Sequence, residues 1–177
     1  KTTDEVWFLD ATDPTGTFRV VEPRTQGVEY GVSHHTDRFL VLTNADGAHN
    51  FKLCEVPTAA PGRANWRELI PHRPDVKLAG ITTFVGHLVI HERVDATPQM
   101  RVRRLADGAE HTIEQPEAVG TAGSGANPEF HSTVFRYRYE SMRTPPSVFD
   151  YDLDTRERTL LKQQPVLGDF KIGRAHV

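Results

Sequence analysis

Apolar and polar positions alternate along this chain over short distances, and no stretch sustains the 3.6-residue period of an amphipathic helix. The alternation is clearest in Phe135-Arg-Tyr-Arg-Tyr-Glu140, which on a strand places its aromatic residues on one face and its charges on the other. Shorter runs rich in Val, Ile, Phe, Tyr and Thr suit a pleated sheet: Glu29–Ser33, Phe39–Thr43, Leu78–Phe84, His87–Arg93 and Thr133–Glu140. Turn signals lie between or beside them at Asp13-Pro14, Asp46-Gly47, Pro61-Gly62 and Asp107-Gly108. Ala118–Pro128, rich in Gly, Ala and Ser, reads as a surface loop between strands.

The runs recur. Val6–Pro23, Phe51–Pro71, Met100–Pro116 and Val148–Pro165 each hold two strand-like runs, a polar turn and a closing proline. The prolines are 48, 45 and 49 residues apart (71−23, 116−71, 165−116). A period of about 40–50 residues filled with short strands is the mark of a β-propeller, with four strands per blade. The expected fold is therefore all-β: a partial β-propeller of about three complete four-stranded blades plus half a blade. Residues 5–23 form the half blade, 29–71 and 76–116 two full blades, and 130 to about 167 most of another. A propeller needs at least about four blades to close, so the repeats describe part of a larger ring. Blades pack face to face, which predicts that such a part leaves two apolar blade faces uncovered.

Composition narrows the function. Hydrophobic residues make up 37% and charged residues 25%, the balance of a globular chain. A net charge of −3, spread along the sequence, argues against a nucleic-acid surface. Apolar runs of only a few residues, such as Phe39–Leu42, argue against a membrane span. The single Cys54 forms no internal disulfide, fits a reducing compartment, and in a strand-like run reads as a small core residue. The expected location is the cytoplasm, with the periplasm as the alternative.

Catalytic and metal-binding patterns are not found. Gly123-Ser124-Gly125 lacks the spacing and the strand-to-helix setting of a nucleophile elbow. There is no phosphate loop and no dinucleotide fingerprint. Of the nine histidines, adjacent His34 and His35 point to opposite faces of a strand. His87 and His91 share a face but stand about 13 Å apart at strand rise, too far for one ion. The expectation is no metal and no cofactor.

Several stretches in order resemble one family. They are Thr43-Asn44 with Asn50–Leu53, Trp66–Arg73, His87–Ile90 with Glu92-Arg93, then Arg136-Tyr137, Tyr139, Ser141 and Thr144-Pro145. Tyr151–Leu153, Leu160–Gln164 and Val166–Phe170 complete the series. The combination is similar to the prolyl oligopeptidase family of serine peptidases, and within it to the oligopeptidase B branch, over residues 5–170. The resemblance implies a seven-bladed N-terminal propeller capping an α/β-hydrolase domain that carries Ser, Asp and His. The propeller admits short peptides and keeps folded proteins out, and the branch cleaves after Lys or Arg. Residues 1–170 would then be the later blades, with short peptides and the hydrolase domain of the same polypeptide as partners. None of the family's triad, oxyanion-hole or basic-side-chain-binding positions falls within the chain, so by itself it is expected to be inactive.

Arg136, Tyr137, Ser141, Thr144 and Pro145 form the candidate segment for a structural or interdomain role. Pro145-Pro146 fixes the backbone between two strands, and Ser141 and Thr144 are suited to satisfying turn amides. In the full enzyme, Arg136 or Tyr137 is expected to support the hydrolase interface. The similarity stops at Phe170. Lys171–Val177 reads like a translated sequencing-adapter tail and is expected not to be native. Two other readings stand beside the basic-specific oligopeptidase: a stand-alone propeller that binds protein partners, and a prolyl-specific relative.

Overall fold

The computed structural model describes residues 3–166. Fourteen strands are described: β1 Trp7–Phe8, β2 Arg19–Val20, β3 Tyr30–His35, β4 Arg38–Thr43, β5 Lys52–Pro57, β6 Arg67–Ile70 and β7 Val76–Thr83, followed by β8 His87–Val94, β9 Thr97–Arg104, β10 Glu110–Thr112, β11 Thr121–Ser124, β12 Val134–Glu140, β13 Ser147–Asp152 and β14 Arg158–Gln163. The only helical segments among the described residues are single 3-10 turns at Ala45–Gly47 and Arg63–Asn65. The strands form a two-stranded sheet, β1-β2, and three four-stranded sheets: β3-β4-β5-β6, β7-β8-β9-β10 and β11-β12-β13-β14. Each sheet keeps its strands in sequence order, as propeller blades do. Half a blade and three full ones match the fold expected from the repeats.

Two expectations need correction. Thr121–Ser124, placed in a loop, is instead the first strand of the last blade, with Thr121 opposite Glu140 and Ser124 opposite Tyr137. Its small residues carry little strand propensity, so pairing and close packing define it. A Cβ on the preceding Gly120 would sit 2.6 Å from the Tyr139 hydroxyl, which explains why the approach to this strand is bare. The second correction concerns the last blade's other face. In β12 the exposed positions are Val134, Arg136, Arg138 and Glu140, while Phe135, Tyr137 and Tyr139 are buried. The face expected to be apolar is charged there, as the strand's own alternation dictates.

The chain divides into two compact units, one through Leu78 and one from Ala79 onward. In the first, Val21, Tyr30, Phe39, Val41, Cys54 and Val56 form a buried cluster, with Val6, Phe8, Val32 and Trp66 against it. Cys54 is the small core residue expected, and burial pushes its thiol pKa up. The Tyr30 hydroxyl ties the half blade to its neighbour. It accepts from the Val6 amide (2.9 Å) and the Glu22 amide (3.2 Å) and donates to the Glu22 carbonyl (2.6 Å).

In the second unit, residues of β12 and β13 pack on Phe84, Val89, Met100, Val102 and Ile113. Phe84 meets Phe135 edge-on at 6.3 Å, Phe135 stacks on Tyr137 at 5.9 Å, and Tyr137 stacks on Phe149 at 5.4 Å. Aromatic pairs in such geometry add about 0.5–1.5 kcal/mol each beyond the area they bury. β8 and β9 are joined by Asp95-Ala96, both at positive φ (47° and 62°), a tight hairpin turn that matches strand twist. Residues 167–177, including the expected tail Lys171–Val177, lie outside the described residues.

Candidate functional site

At one end of the second unit, the β12–β13 turn (141–146) meets the crossover that runs from β10 to β11 (113–120). Glu117 joins them. Its carboxylate accepts from the Tyr139 hydroxyl at 2.6 Å and from the Thr144 hydroxyl at 2.8 Å. These bonds hold the Glu117 carboxyl below the usual carboxylate range, Tyr139 contributing most. The Tyr139 hydroxyl also accepts from the Glu117 amide at 3.3 Å. Burial, reinforced by the neighbouring carboxylate, raises the Tyr139 phenol.

The turn is closed from within. Ser141 Oγ accepts from the Arg143 amide (3.0 Å) and the Thr144 amide (2.9 Å), and the Ser141 amide donates to the Thr144 carbonyl (2.9 Å). Ser147 Oγ donates to the Pro145 carbonyl at 2.6 Å and accepts from Gln163 at 3.1 Å. The Gln164 amide donates to the Pro146 carbonyl at 2.9 Å, so the chain leaving β14 is anchored to the same end.

The five candidate residues thus separate. Ser141 caps turn amides, as its residue type suggests. Thr144 reaches across to Glu117, and Pro145 offers its carbonyl to Ser147. Tyr137 is fully buried in the aromatic stack between sheets. Arg136 points the other way and grips Asp150 through two bonds, Nε to Oδ1 at 2.8 Å and Nη2 to Oδ2 at 2.9 Å. Its side chain stays about half exposed. Asn127 also braces the Arg136 backbone, accepting its amide at 2.7 Å and donating to its carbonyl at 2.9 Å. Glu117 and Asn127 carried no motif; each acts through partners distant in sequence or in an irregular segment.

The histidines take separate surroundings. His34 is exposed and His35 buried, on opposite faces of β3. His87 Nε2 lies 3.3 Å from Asp154 Oδ1, whereas His91 Nε2 lies 2.9 Å from Thr82 Oγ1, and burial lowers the His91 pKa. Ser124 Oγ is engaged by Gly125, Asn127 and Thr82. Among the described residues, no three His, Cys, Asp or Glu side chains are grouped to hold a metal ion, and no helix is long and apolar enough to cross a membrane. What the end of the second unit offers chemically is a rigid, hydrogen-bonded platform.

Residues 1–164 match the family described as prolyl oligopeptidase, N-terminal beta-propeller domain. The chain is 41% identical over 153 residues to dipeptidyl aminopeptidase BI of Pseudoxanthomonas mexicana, covering 86% of this chain and 21% of that protein. It is 29% identical over 171 residues to protease 2 of Moraxella lacunata, covering 96% and 24%. Among solved structures, oligopeptidase B from Trypanosoma brucei with covalently bound antipain, in its closed form, superposes with a TM-score of 0.88 at 31% identity, covering 97% of this chain and 26% of that one. Oligopeptidase B from Leishmania major gives 0.86 at 29% identity, covering 97% and 25%. The chain therefore spans about a quarter or less of the length of these relatives.

Proposed function

Because the chain belongs to the prolyl oligopeptidase N-terminal β-propeller family, we propose that it is the gating propeller of a serine peptidase that hydrolyses short peptides, cleaving after Lys or Arg. The observation that carries this reading is the likeness to oligopeptidase B, which extends over nearly the whole chain in both fold and sequence. The chemistry belongs to the hydrolase domain of the full-length protein. There a serine gives its proton to an oriented histidine while backbone donors stabilise the oxyanion. This chain contributes none of those groups. Its role is exclusion: rigid blades limit access by size without altering the chemistry. Its substrates are short peptides, and its partner is the hydrolase domain of the same polypeptide. Arg136, half exposed on β12, is the candidate residue still open to that partner.

A second reading has its own support. The relative at 41% identity is named a dipeptidyl aminopeptidase, so release of dipeptides from a free N-terminus stands beside internal cleavage.

One assay separates these readings. The full-length protein is given peptides of roughly ten residues with Arg, Lys or Pro before the scissile bond, each with a free and a blocked N-terminus. The same Arg sequence is also offered within a folded domain. Cleavage of blocked Arg and Lys peptides, with the folded domain spared, is the expected result. Activity confined to free N-termini selects dipeptide release, and cleavage after Pro selects the prolyl-specific relative. Cleavage of the folded domain as fast as the peptide would overturn the gating role.

A further inference from the structure

We propose that His91, Thr82 and Ser124 form an acid-sensitive lock between the last two sheets: with a neutral imidazole they hold β7 against β11, and uptake of a proton by His91 releases the two strands. The proposal is independent of the peptidase reading above and adds a response to pH.

The lock stands on geometry. β7 and β11 are the first strands of neighbouring sheets, each at the edge of its own sheet, and no backbone ladder joins them. Their tie runs through side chains. Thr82 Oγ1 of β7 lies 3.4 Å from Ser124 Oγ of β11 and 2.9 Å from His91 Nε2 of β8. The His91 ring also lies 6.1 Å from the Phe135 ring of β12, so one imidazole meets both sheets. Beside it opens a groove of about 480 Å³, lined by Gly80, Gln99 and Gly123 as well as by the three members of the lock. A Cβ added at Gly80 would meet only His91 Cδ2, at 4.0 Å. The ring therefore has room to swing into the groove and become hydrated.

A charged imidazole in the closed position has no counter-ion among the described residues. β7 from Ala79 onward and β11 carry no charged residue, and β9 sets Met100 opposite His91. On β8, the Glu92 carboxylate is held by Arg101, and Arg93 reaches the Ala96 carbonyl at 3.4 Å. On β12, Arg136 grips Asp150 on the face opposite Phe135. Burial holds the His91 pKa below the ordinary imidazole value. A histidine depressed in the closed state supports that state fully above its open-state value of about 6.5, and the support is lost as pH falls below it. His111 on β10 is also lowered, by burial and by the charges of Arg156 and His87, but it packs on Tyr151 of β13 at 6.0 Å and has no part in the lock.

The test is hydrogen exchange of the full-length protein followed by mass spectrometry at about pH 7.5 and about pH 5.5, either side of the imidazole range, with rates corrected for intrinsic exchange chemistry. Peptides covering β7 and β11 are expected to open about three- to tenfold more often at the lower pH, the gain available to one histidine that takes up its proton only on opening. His91→Gln keeps a side chain able to bond Thr82 but cannot charge, and is expected to abolish that acceleration. His111→Gln is expected to keep it. Thr82→Val is expected to speed opening of β11 at the higher pH, because the tie itself is gone. Absence of acceleration at β7 and β11 in the parent protein would overturn the lock without any variant. Acceleration that persists in His91→Gln would overturn it as well, and its loss in His111→Gln would move the sensor to the other histidine.

Discussion

Replacing Phe135 with alanine is expected to destabilise the second unit by about 3–5 kcal/mol, the usual cost of removing a buried aromatic ring. The ring is fully buried and sits at a junction. It meets Phe84 edge-on, lies 6.1 Å from the His91 ring and stacks on Tyr137, which in turn stacks on Phe149. Truncation leaves a cavity between two sheets that cannot collapse without moving both, because each sheet is held by its own ladder. Phe135→Leu keeps most of the buried area and is expected to cost less than about half as much. Native-state hydrogen exchange of the β12 and β13 amides measures both changes in the full-length protein. A cost below about 1 kcal/mol for the alanine variant would mean that the stack does not hold the two sheets together.

The second large effect is electrostatic. Glu92 on β8 is 5% exposed, and Arg101 on β9 meets it through two bonds, Nε at 3.0 Å and Nη2 at 2.6 Å. Arg101 also contacts Glu110, which Arg103 holds at 2.7 Å. The four side chains form one alternating network across β8, β9 and β10. Arg101→Met preserves much of the aliphatic packing but removes the charge that faces Glu92. Breaking a buried pair in this way costs about 3–5 kcal/mol, because the remaining ion stays desolvated.

The double variant Glu92→Gln with Arg101→Met tests this pairing. It is expected to be more stable than Arg101→Met alone, because the carboxylate that Arg101 faced is removed as well. Urea unfolding checks it, and a double variant no more stable than Arg101→Met would show that lost packing, not the broken pair, accounts for the cost.

The legibility of this fold varies with the physical origin of each element. The aromatic–charge alternation of β12 prescribes both its buried face and its charged one, and the structure follows it position by position. The uncovered apolar face expected of the last blade is not found on β12, where the same alternation turns Arg136, Arg138 and Glu140 outward. The continuous runs at Phe39–Leu42 and His87–Ile90 gave the middle strands of two blades, because strands buried on both faces need no alternation. β11 was hidden because Thr-Ala-Gly-Ser has weak strand propensity, and only pairing with β12 reveals it. The Asp95-Ala96 turn lacks the glycine that usually announces such geometry.

The site was less legible than the fold. Ser141 was recognisable from turn chemistry, which is local. Glu117 was not, since its partners Tyr139 and Thr144 lie 22 and 27 residues away. Tyr137 is expected from the sequence to support an interdomain contact, yet its side chain is buried in the stack between two sheets, a tertiary fact that a strand pattern leaves open.

The most direct test is to read the source gene beyond codon 170. The expected result is an open frame that continues into an α/β-hydrolase domain, with G-x-S-x-G, then Asp, then His in chain order. A stop codon directly after a truly encoded Lys171–Val177 would contradict it, leaving blades without a catalytic partner and making protein binding the better explanation of this surface.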